Sequence, residues 1–502
     1  MKKRLALNTA SNMATLFIKL AITFVMTPIL IKNLGHYDYG IWEMVGAIIG
    51  YMGMLDLGVR PAISRFAARF IALKDQESLS LLYATSWFFL MAVGFFIFFI
   101  LSIWGIYFSE SIAEDGSEST RYTLLLIILA IQLLISFPAY TAESFMESYQ
   151  EYYLKNNITI INSFIGFGVI YYYIEPENAL VLLALVNTIG TCIKYILLAW
   201  YVQYRRPFLK IKAAYFRLEN LKTLLSFSVK TLIQGVSTRI ENATDSLVIG
   251  FALGPAMVPI YSIPANLLNH IRGISITLTH VFMPYLSGLS ALNDQKKIQE
   301  VYFSSSKIMV SLSLIMLIGA IMMGERFLQL WVGEQIASSA GDLILIIAAF
   351  TVLPLLNPLS NRYLTAIDKH VFLAKWQPVV ALANLILSLI LVYPMGIFGV
   401  ALGSLIPSLF FQPILLYVCC SHLNVSIGKY ISHVFFPWII PSLGMILLIF
   451  YLQNYFIINS FGLFFLVALS GTVAFFVLAL FFSFNLSERL QLISLIKKNY
   501  KQ

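Results

Sequence analysis

Charge is what this chain has least of: 11% of its 502 residues are Asp, Glu, Lys or Arg, where a soluble domain carries about 25%. Hydrophobic residues reach 59% and the mean hydropathy is +0.83, which excludes a soluble globular protein. Cysteine is scarce too. Cys192, Cys419 and Cys420 all sit in apolar runs, with neither a paired framework nor metal-ligand spacing, which argues against structural disulfides and a zinc site. Walker A, HExxH, GxSxG and Cys-x-x-Cys motifs are all missing. No ATPase or other enzyme is expected, and no cofactor. The net charge of +9 does not imply nucleic acid, because the basic residues do not gather on one aromatic-interleaved arm. Met1-Lys2-Lys3-Arg4 resembles the start of a signal peptide, but Asn8, Asn12 and Lys19 interrupt the apolar core that should follow. An uncleaved first helix is expected.

What fills the chain is a series of hydrophobic runs, each about as long as a membrane-spanning helix. They lie at 8–31, 40–64, 79–108, 121–142, 154–174, 178–203, 223–249, 257–287, 301–323, 341–366, 371–393, 397–420, 432–453 and 460–484. The expected fold is an all-α polytopic membrane protein of about fourteen transmembrane helices. Lys and Arg accumulate in alternate connectors, at 2–4, 65–74, 205–222, 296–297 and 489–501 among others, and Lys155 falls in the same set. The opposite connectors hold only Lys32, Arg121 and Arg326, and collect Glu110, Glu114, Asp115, Glu118, Glu175 and Glu177. The positive-inside rule then places both termini in the cytoplasm.

Cations left within the runs are the informative ones: Lys19, Arg60, Lys194, Lys230, Arg239, Arg272, Lys307 and Arg362. A charge near mid-bilayer is costly unless it faces protein or water. Helix one repeats Asn8, Asn12, Thr15, Lys19, Thr23 and Thr27 along one face, and helix seven repeats Ser226, Lys230, Gln234, Ser237, Glu241 and Asp245, widened by Thr231, Thr238 and Asn242. Helix eight carries Asn266, His270, Thr277 and His280 on one stripe, with Asn269 and Arg272 beside it. These faces need an aqueous cavity or polar partners. Gly46, Gly50 and Gly53 give helix two a small-residue face for close packing, continued by Arg60 and Ser64. Asp56 and Arg60, four apart, are either an ion pair or cavity elements. Arg239 suits an acid on a neighbouring helix, Lys194 a structural role, and Lys307 and Arg362 snorkelling to the boundary. His270 and His280 read as packing histidines before proton carriers.

A repeat appears at an offset of 219: Leu34-Gly35 with Tyr39-Gly40-Ile41-Trp42 aligns with Leu253-Gly254 and Val258-Pro259-Ile260-Tyr261. It relates helices one and two to seven and eight by parallel repetition. The division expected is an N-lobe over 1–204, a basic connector over 205–222, a C-lobe over 223–420, and helices thirteen and fourteen with a basic tail over 421–502.

Pro28-Ile29-Leu30-Ile31-Lys32-Asn33-Leu34-Gly35, Asp38-Tyr39-Gly40-Ile41-Trp42 and Leu55-Asp56-Leu57-Gly58 resemble the opening of bacterial polysaccharide flippases. Asp245-Ser246-Leu247-Val248-Ile249-Gly250, Ile260-Tyr261-Ser262-Ile263 and Pro284 are similar to the start of that family's second lobe, and Gly396-Ile397-Phe398-Gly399-Val400-Ala401-Leu402-Gly403 to the start of its twelfth helix. The resemblance covers essentially the whole chain and places it in the superfamily of multidrug, oligosaccharidyl-lipid and polysaccharide exporters. It implies two pseudo-symmetric six-helix lobes around a central cavity, plus two C-terminal helices, working by alternating access. The implied cargo is a polyprenyl-pyrophosphate-linked oligosaccharide repeat unit of the O-antigen or teichoic type, moved from the cytoplasmic to the outer leaflet of the bacterial inner membrane. Membrane lipid and a proton or sodium ion are implied partners, as are a glycan polymerase and chain-length proteins. Lys19, Arg272, Arg60, Lys230, Arg239, Asn12, Thr15, Gln234 and Asn269 are the candidate substrate-binding residues, and Asp245, Glu241 and Asp56 the candidate ion-coupling ones. A drug antiporter is the rival within the superfamily, expected to carry acids rather than Lys19 on helix one. A membrane glycan polymerase or acyltransferase is the rival outside it.

Overall fold

The computed structural model describes residues 2–56, 58–112, 116–279, 282–292, 294–369 and 371–484, and among them every regular element is a helix. They form two compact units, Met1–Gly250 with Gly254–Val258, and Phe251–Leu253 with Pro259–Gln502. His280, Asn293 and the basic tail lie outside the described residues, as do the side chains of Lys230, Thr231, Gln234, Thr238, Asn242 and Pro284.

The first unit holds α1 (Lys2–Met52), α2 (Val59–Leu73), α3 (Gln76–Ile112), α4 (Gly116–Ser148), α5 (Tyr152–Tyr173), α6 (Ala179–Arg205) and α7 (Leu218–Leu253). Its core is packed by Val59, Ala62 and Ile63 of α2 against Leu82, Leu90, Leu133, Phe137 and Phe145 of α3 and α4. In a bilayer, helices gain no hydrophobic free energy by leaving lipid for one another, so close packing and interhelical hydrogen bonds hold such a core.

The second unit holds α8 (Val258–Thr279), α9 (Phe282–Ala291), α10 (Gln295–Val332), α11 (Glu334–Val352), α12 (Ser360–Ala366), α13 (Val371–Met395), α14 (Ile397–His422), α15 (Ile427–Val434), α16 (Ile439–Tyr455) and α17 (Phe461–Phe482). Tyr302 of α10 is fully buried at its centre, donating to Asn357 Oδ1 at 2.8 Å with its ring 5.2 Å from that of Tyr363.

Among the described residues, ten helical stretches are long and apolar enough to cross a membrane. One, Leu7–Asp56, joins the first expected segment to most of the second through a break at Gly35, where φ is 69° and ψ −179°. Gly254, its counterpart in the repeat, has φ 96° and ψ 155°. Both turns need a conformation that a Cβ disfavours, which is why the repeat keeps glycine there. Of the helices expected to be wet, α8 is not among the ten, because the polar stripe that marks it also lowers its hydropathy.

The runs at 40–64, 341–366 and 432–453 are not single helices. The first gives way at Gly53–Asp56 to a 3₁₀ turn and restarts after Gly58, which adopts φ 70° and ψ 18°. The glycine face therefore stops short of Arg60 and Ser64, which stand on α2. The second is broken by Leu353–Leu356, with Pro354 inside it, and the third by Phe436–Trp438, with Pro437 inside it. Hydropathy reads straight through such proline turns, because their neighbours remain apolar.

Candidate functional site: a cation cluster around Glu143

The polar face of α1 meets α5 first. Asn8 is buried, donating Nδ2 to the Gln150 carbonyl at 3.1 Å and accepting the Tyr153 N–H at 3.2 Å. One turn on, Asn156 Nδ2 donates to Ser11 Oγ at 3.0 Å and to Asn12 Oδ1 at 2.6 Å. The first two turns of that face are therefore committed to helix packing. Beyond them, the Thr15 hydroxyl donates to its own helix at the Ser11 carbonyl, 2.8 Å away, and Lys19 is exposed.

The strongest electrostatic feature of the first unit is Glu143 of α4, whose side chain is 9% exposed. The restart of the chain after Gly58 brings Arg60 onto the first turn of α2, and its Nη2 donates to Glu143 Oε2 at 2.9 Å. The same guanidinium lies 4.1 Å from the Tyr140 ring centroid. Lys155, near the start of α5, reaches Glu143 Oε1 at 3.4 Å and Glu147 Oε1 at 2.6 Å. The Tyr195 hydroxyl of α6 donates to Glu143 Oε2 at 3.4 Å, and Lys194 sets its Nζ 4.0 Å from the Tyr195 ring centroid. The charges of Lys19, Arg60 and Lys155 all act on Lys194. Three cations from α2, α5 and α6 thus gather about Glu143, with Lys19 of α1 in the electrostatic reach of Lys194 and with Glu147 and Asp56 as the other acids. A carboxylate out of water needs such partners, and the surplus positive charge is free to favour an anion.

Beside the cluster opens a cavity of about 590 Å³, lined by Asp56, Arg60, Ser64 and Glu147 and, from α7, by Leu232 and Gly235. Arg60 turns to Glu143 rather than to Asp56, whose Oδ1 accepts the Gly58 N–H at 2.8 Å and so fixes the turn before α2. Of the residues singled out in the sequence, Lys19, Arg60, Asp56 and Lys194, read there as structural, are brought to this region. Lys155, Glu143 and Glu147 were not singled out. Lys155 reads as a connector residue, and the two acids lie just beyond the apolar run at 121–142. Their spacing of four residues on one helix face was the available signal.

Arg239 of α7 packs its guanidinium against Gly50, in space that a β-carbon at Gly50 would fill. The Tyr51 hydroxyl is hydrogen-bonded to Thr244 Oγ1. Asp245 is buried, and Glu241 and Arg239 are half-buried. In the second unit, Asn269 and Arg272 of α8 are half-buried and His270 is exposed. Their neighbours Leu267, Leu268 and Ile271 line an apolar cavity of about 290 Å³ together with residues of α10, α11, α16 and α17. Lys307 reaches the Phe484 ring, 5.1 Å from its centroid.

Comparison with known proteins bears on this arrangement. In structure, the chain is similar to the lipid II flippase MurJ in an inward closed conformation, with 15% identity over 95% of this chain and 98% of that one and a TM-score of 0.74. It is also similar to a multidrug resistance MATE family transporter of the MOP superfamily in an inward-facing conformation, with 15% identity over 82% and 99% of the two chains and a TM-score of 0.63. At these identities the likeness speaks to the fold. In sequence, it is 21% identical over 308 residues to a candidate O-antigen transporter of Shigella flexneri, covering 61% of this chain and 71% of that protein. These relatives are transporters and flippases, not enzymes. The profile described as "Polysaccharide biosynthesis protein" matches residues 29–341, which include Arg60, Glu143, Lys155 and Lys194 but not Lys19, together with α7 and α8. The chain is a multi-pass membrane protein that belongs to this polysaccharide biosynthesis family.

Proposed function

We propose that the protein flips a polyprenyl-pyrophosphate-linked oligosaccharide repeat unit from the cytoplasmic to the outer leaflet of the bacterial inner membrane. On this reading the chain crosses the membrane fourteen times, as two six-helix lobes and two further helices with both termini cytoplasmic, and works by alternating access. The observation that carries the proposal is the surplus of positive charge among Lys19, Arg60, Lys155 and Lys194 around the buried Glu143. An anionic headgroup entering a low-dielectric region requires such charge, whereas a cationic drug would be repelled by it. Arg272 and Asn269 on α8, with Lys230, Gln234 and Arg239 on α7 and Thr15 on α1, complete the proposed path for the headgroup, while Asn12 is taken up by α5.

Glu241 and Asp245, one helical turn apart on α7, are the proposed coupling acids for a proton or sodium ion, with Asp56 beside the cavity. The likeness of fold to MATE transporters favours a multidrug antiporter as the second reading.

In cells dependent on this protein for glycan export, Lys19→Ala and Arg272→Ala should each abolish export at near-normal protein levels, with Lys19→Arg and Arg272→Lys restoring part of it. Wild-type export by both Ala variants would overturn the cationic mechanism. Drug efflux without any glycan phenotype would favour the antiporter.

A further inference from the structure

In the second unit, the proline turn Leu353–Leu356 leaves the helical path, and beside it lies a cavity of about 430 Å³. Its wall is mostly apolar, with Leu353 and Leu356 from the turn, Leu416 from α14, and Ile427 and Ile431 one turn apart on α15. The Tyr430 hydroxyl donates to the Leu356 carbonyl at 3.3 Å, which ties α15 to the turn. Two amide side chains interrupt this wall. Asn357, 6% exposed, accepts the Tyr302 hydroxyl at Oδ1, and its Nδ2 is buried with no hydrogen-bond partner. Gln412 of α14 also lines the cavity, and its Oε1 is buried and unpartnered in the same way. One donor and one acceptor thus border a single apolar space, each costing free energy while it is unmet.

The geometry points to this cavity as a binding site for a neutral lipid with a free hydroxyl beside its acyl chains, of the diacylglycerol class. A hydroxyl both accepts and donates, so one such group satisfies Asn357 Nδ2 and Gln412 Oε1 together, whereas an ester carbonyl meets only the donor. Among the described residues the lining is uncharged, which disfavours a phosphate or ammonium headgroup there. The leucine and isoleucine wall suits an acyl chain, and the volume falls within the range of about 300–1,000 Å³ usual for small-molecule pockets. The surroundings give access from the bilayer. α14 is long and apolar enough to cross it, Gln412 stands about 15 Å from the His422 end of that helix, and the neighbouring face carries the exposed side chains of Phe410, Ile414 and Tyr417. The site shares no residue with the proposed headgroup path, so its test is independent of the cargo.

The test is photolabelling of the purified full-length protein in phosphatidylcholine nanodiscs, using a diacylglycerol with a diazirine in one acyl chain, followed by mapping of the labelled peptides. Label should concentrate in residues 409–436. Unlabelled diacylglycerol should displace it at about fivefold lower concentration than diacylglycerol methyl ether, which keeps the chains and the acceptor oxygen but cannot donate. Gln412→Met removes the acceptor at nearly the same side-chain length, and should weaken diacylglycerol about fivefold while leaving the ether unchanged. Ile431→Trp, filling the cavity from a position that is 38% exposed, should remove the label from this segment. Label no denser in residues 409–436 than along the exposed face of α17, equal displacement by the two lipids, or undiminished label in Ile431→Trp would overturn the site. A wild-type preference for the free hydroxyl in Gln412→Met would overturn its recognition by this amide pair.

Discussion

Glu143 holds cations from three other helices of the first unit within its reach, directly from α2 and α5 and through Tyr195 from α6. Removing one partner of a buried ion pair leaves the others uncompensated, which costs about 3–5 kcal/mol, whereas removing an exposed charge costs little. Glu143→Ala is therefore expected to lower stability by about 3 kcal/mol, read as a clear drop in the melting temperature of the detergent-solubilised protein. Glu177→Ala, at an exposed acid between α5 and α6, should leave the midpoint nearly unchanged. Equal melting temperatures for the two variants would mean that Glu143 is not the anchor. Legibility in the sequence divides along the same line. A cation inside an apolar run is visible as an anomaly, so Lys19, Arg60 and Arg272 stood out. Glu143 and Lys155 belong to the ends of helices, where charge is ordinary, and only the fold brings α4 and α5 together there. Asn8 and Asn12 were legible as a polar face, yet periodicity cannot tell a face that lines water from one that another helix satisfies, and α5 satisfies this one.

Among elements, the helices themselves were plain from hydropathy, and their interruptions were not. Gly58, Pro354 and Pro437 end or redirect helices without lowering the hydropathy of the run around them. The start of α3 shows local chemistry that can be measured. Asp75 precedes its first residue, and its Oδ1 accepts the Ser78 N–H at 2.9 Å. Hydrogen bonds from the Ser78 hydroxyl and N–H hold the Asp75 carboxyl below its ordinary range. A carboxyl depressed on folding stabilises the folded state fully above its unfolded pKa, and that contribution is lost as pH falls through the folded value. Asp75→Ala should accordingly speed amide exchange in the first turn of α3 at neutral pH, with the difference from wild type shrinking as the medium is acidified below the ordinary carboxylate range. Exchange that is the same in both proteins at neutral pH would show that Asp75 does not cap the helix.

For the whole molecule, composition alone excluded a soluble protein, and the alternation of basic connectors predicts an orientation that family membership leaves open. The repeat was visible as two short motifs. Its physical content is the pair of left-handed glycines, Gly35 and Gly254, at equivalent helix turns. What no one-dimensional pattern could supply is which cations share a neighbourhood, since Lys19, Arg60, Lys155 and Lys194 are spread over 176 positions of the chain. The account as a whole turns on translocation of an anionic lipid-linked glycan. Its most direct test is the purified protein alone in liposomes loaded with a polyprenyl-pyrophosphate-linked oligosaccharide, with the glycan exposed on the outer surface scored over time by an impermeant lectin. Wild type should raise that exposure well above protein-free liposomes, and Lys19→Ala and Arg272→Ala should not. Exposure no faster than in protein-free liposomes, in a preparation that does transport a cationic drug, would contradict the account.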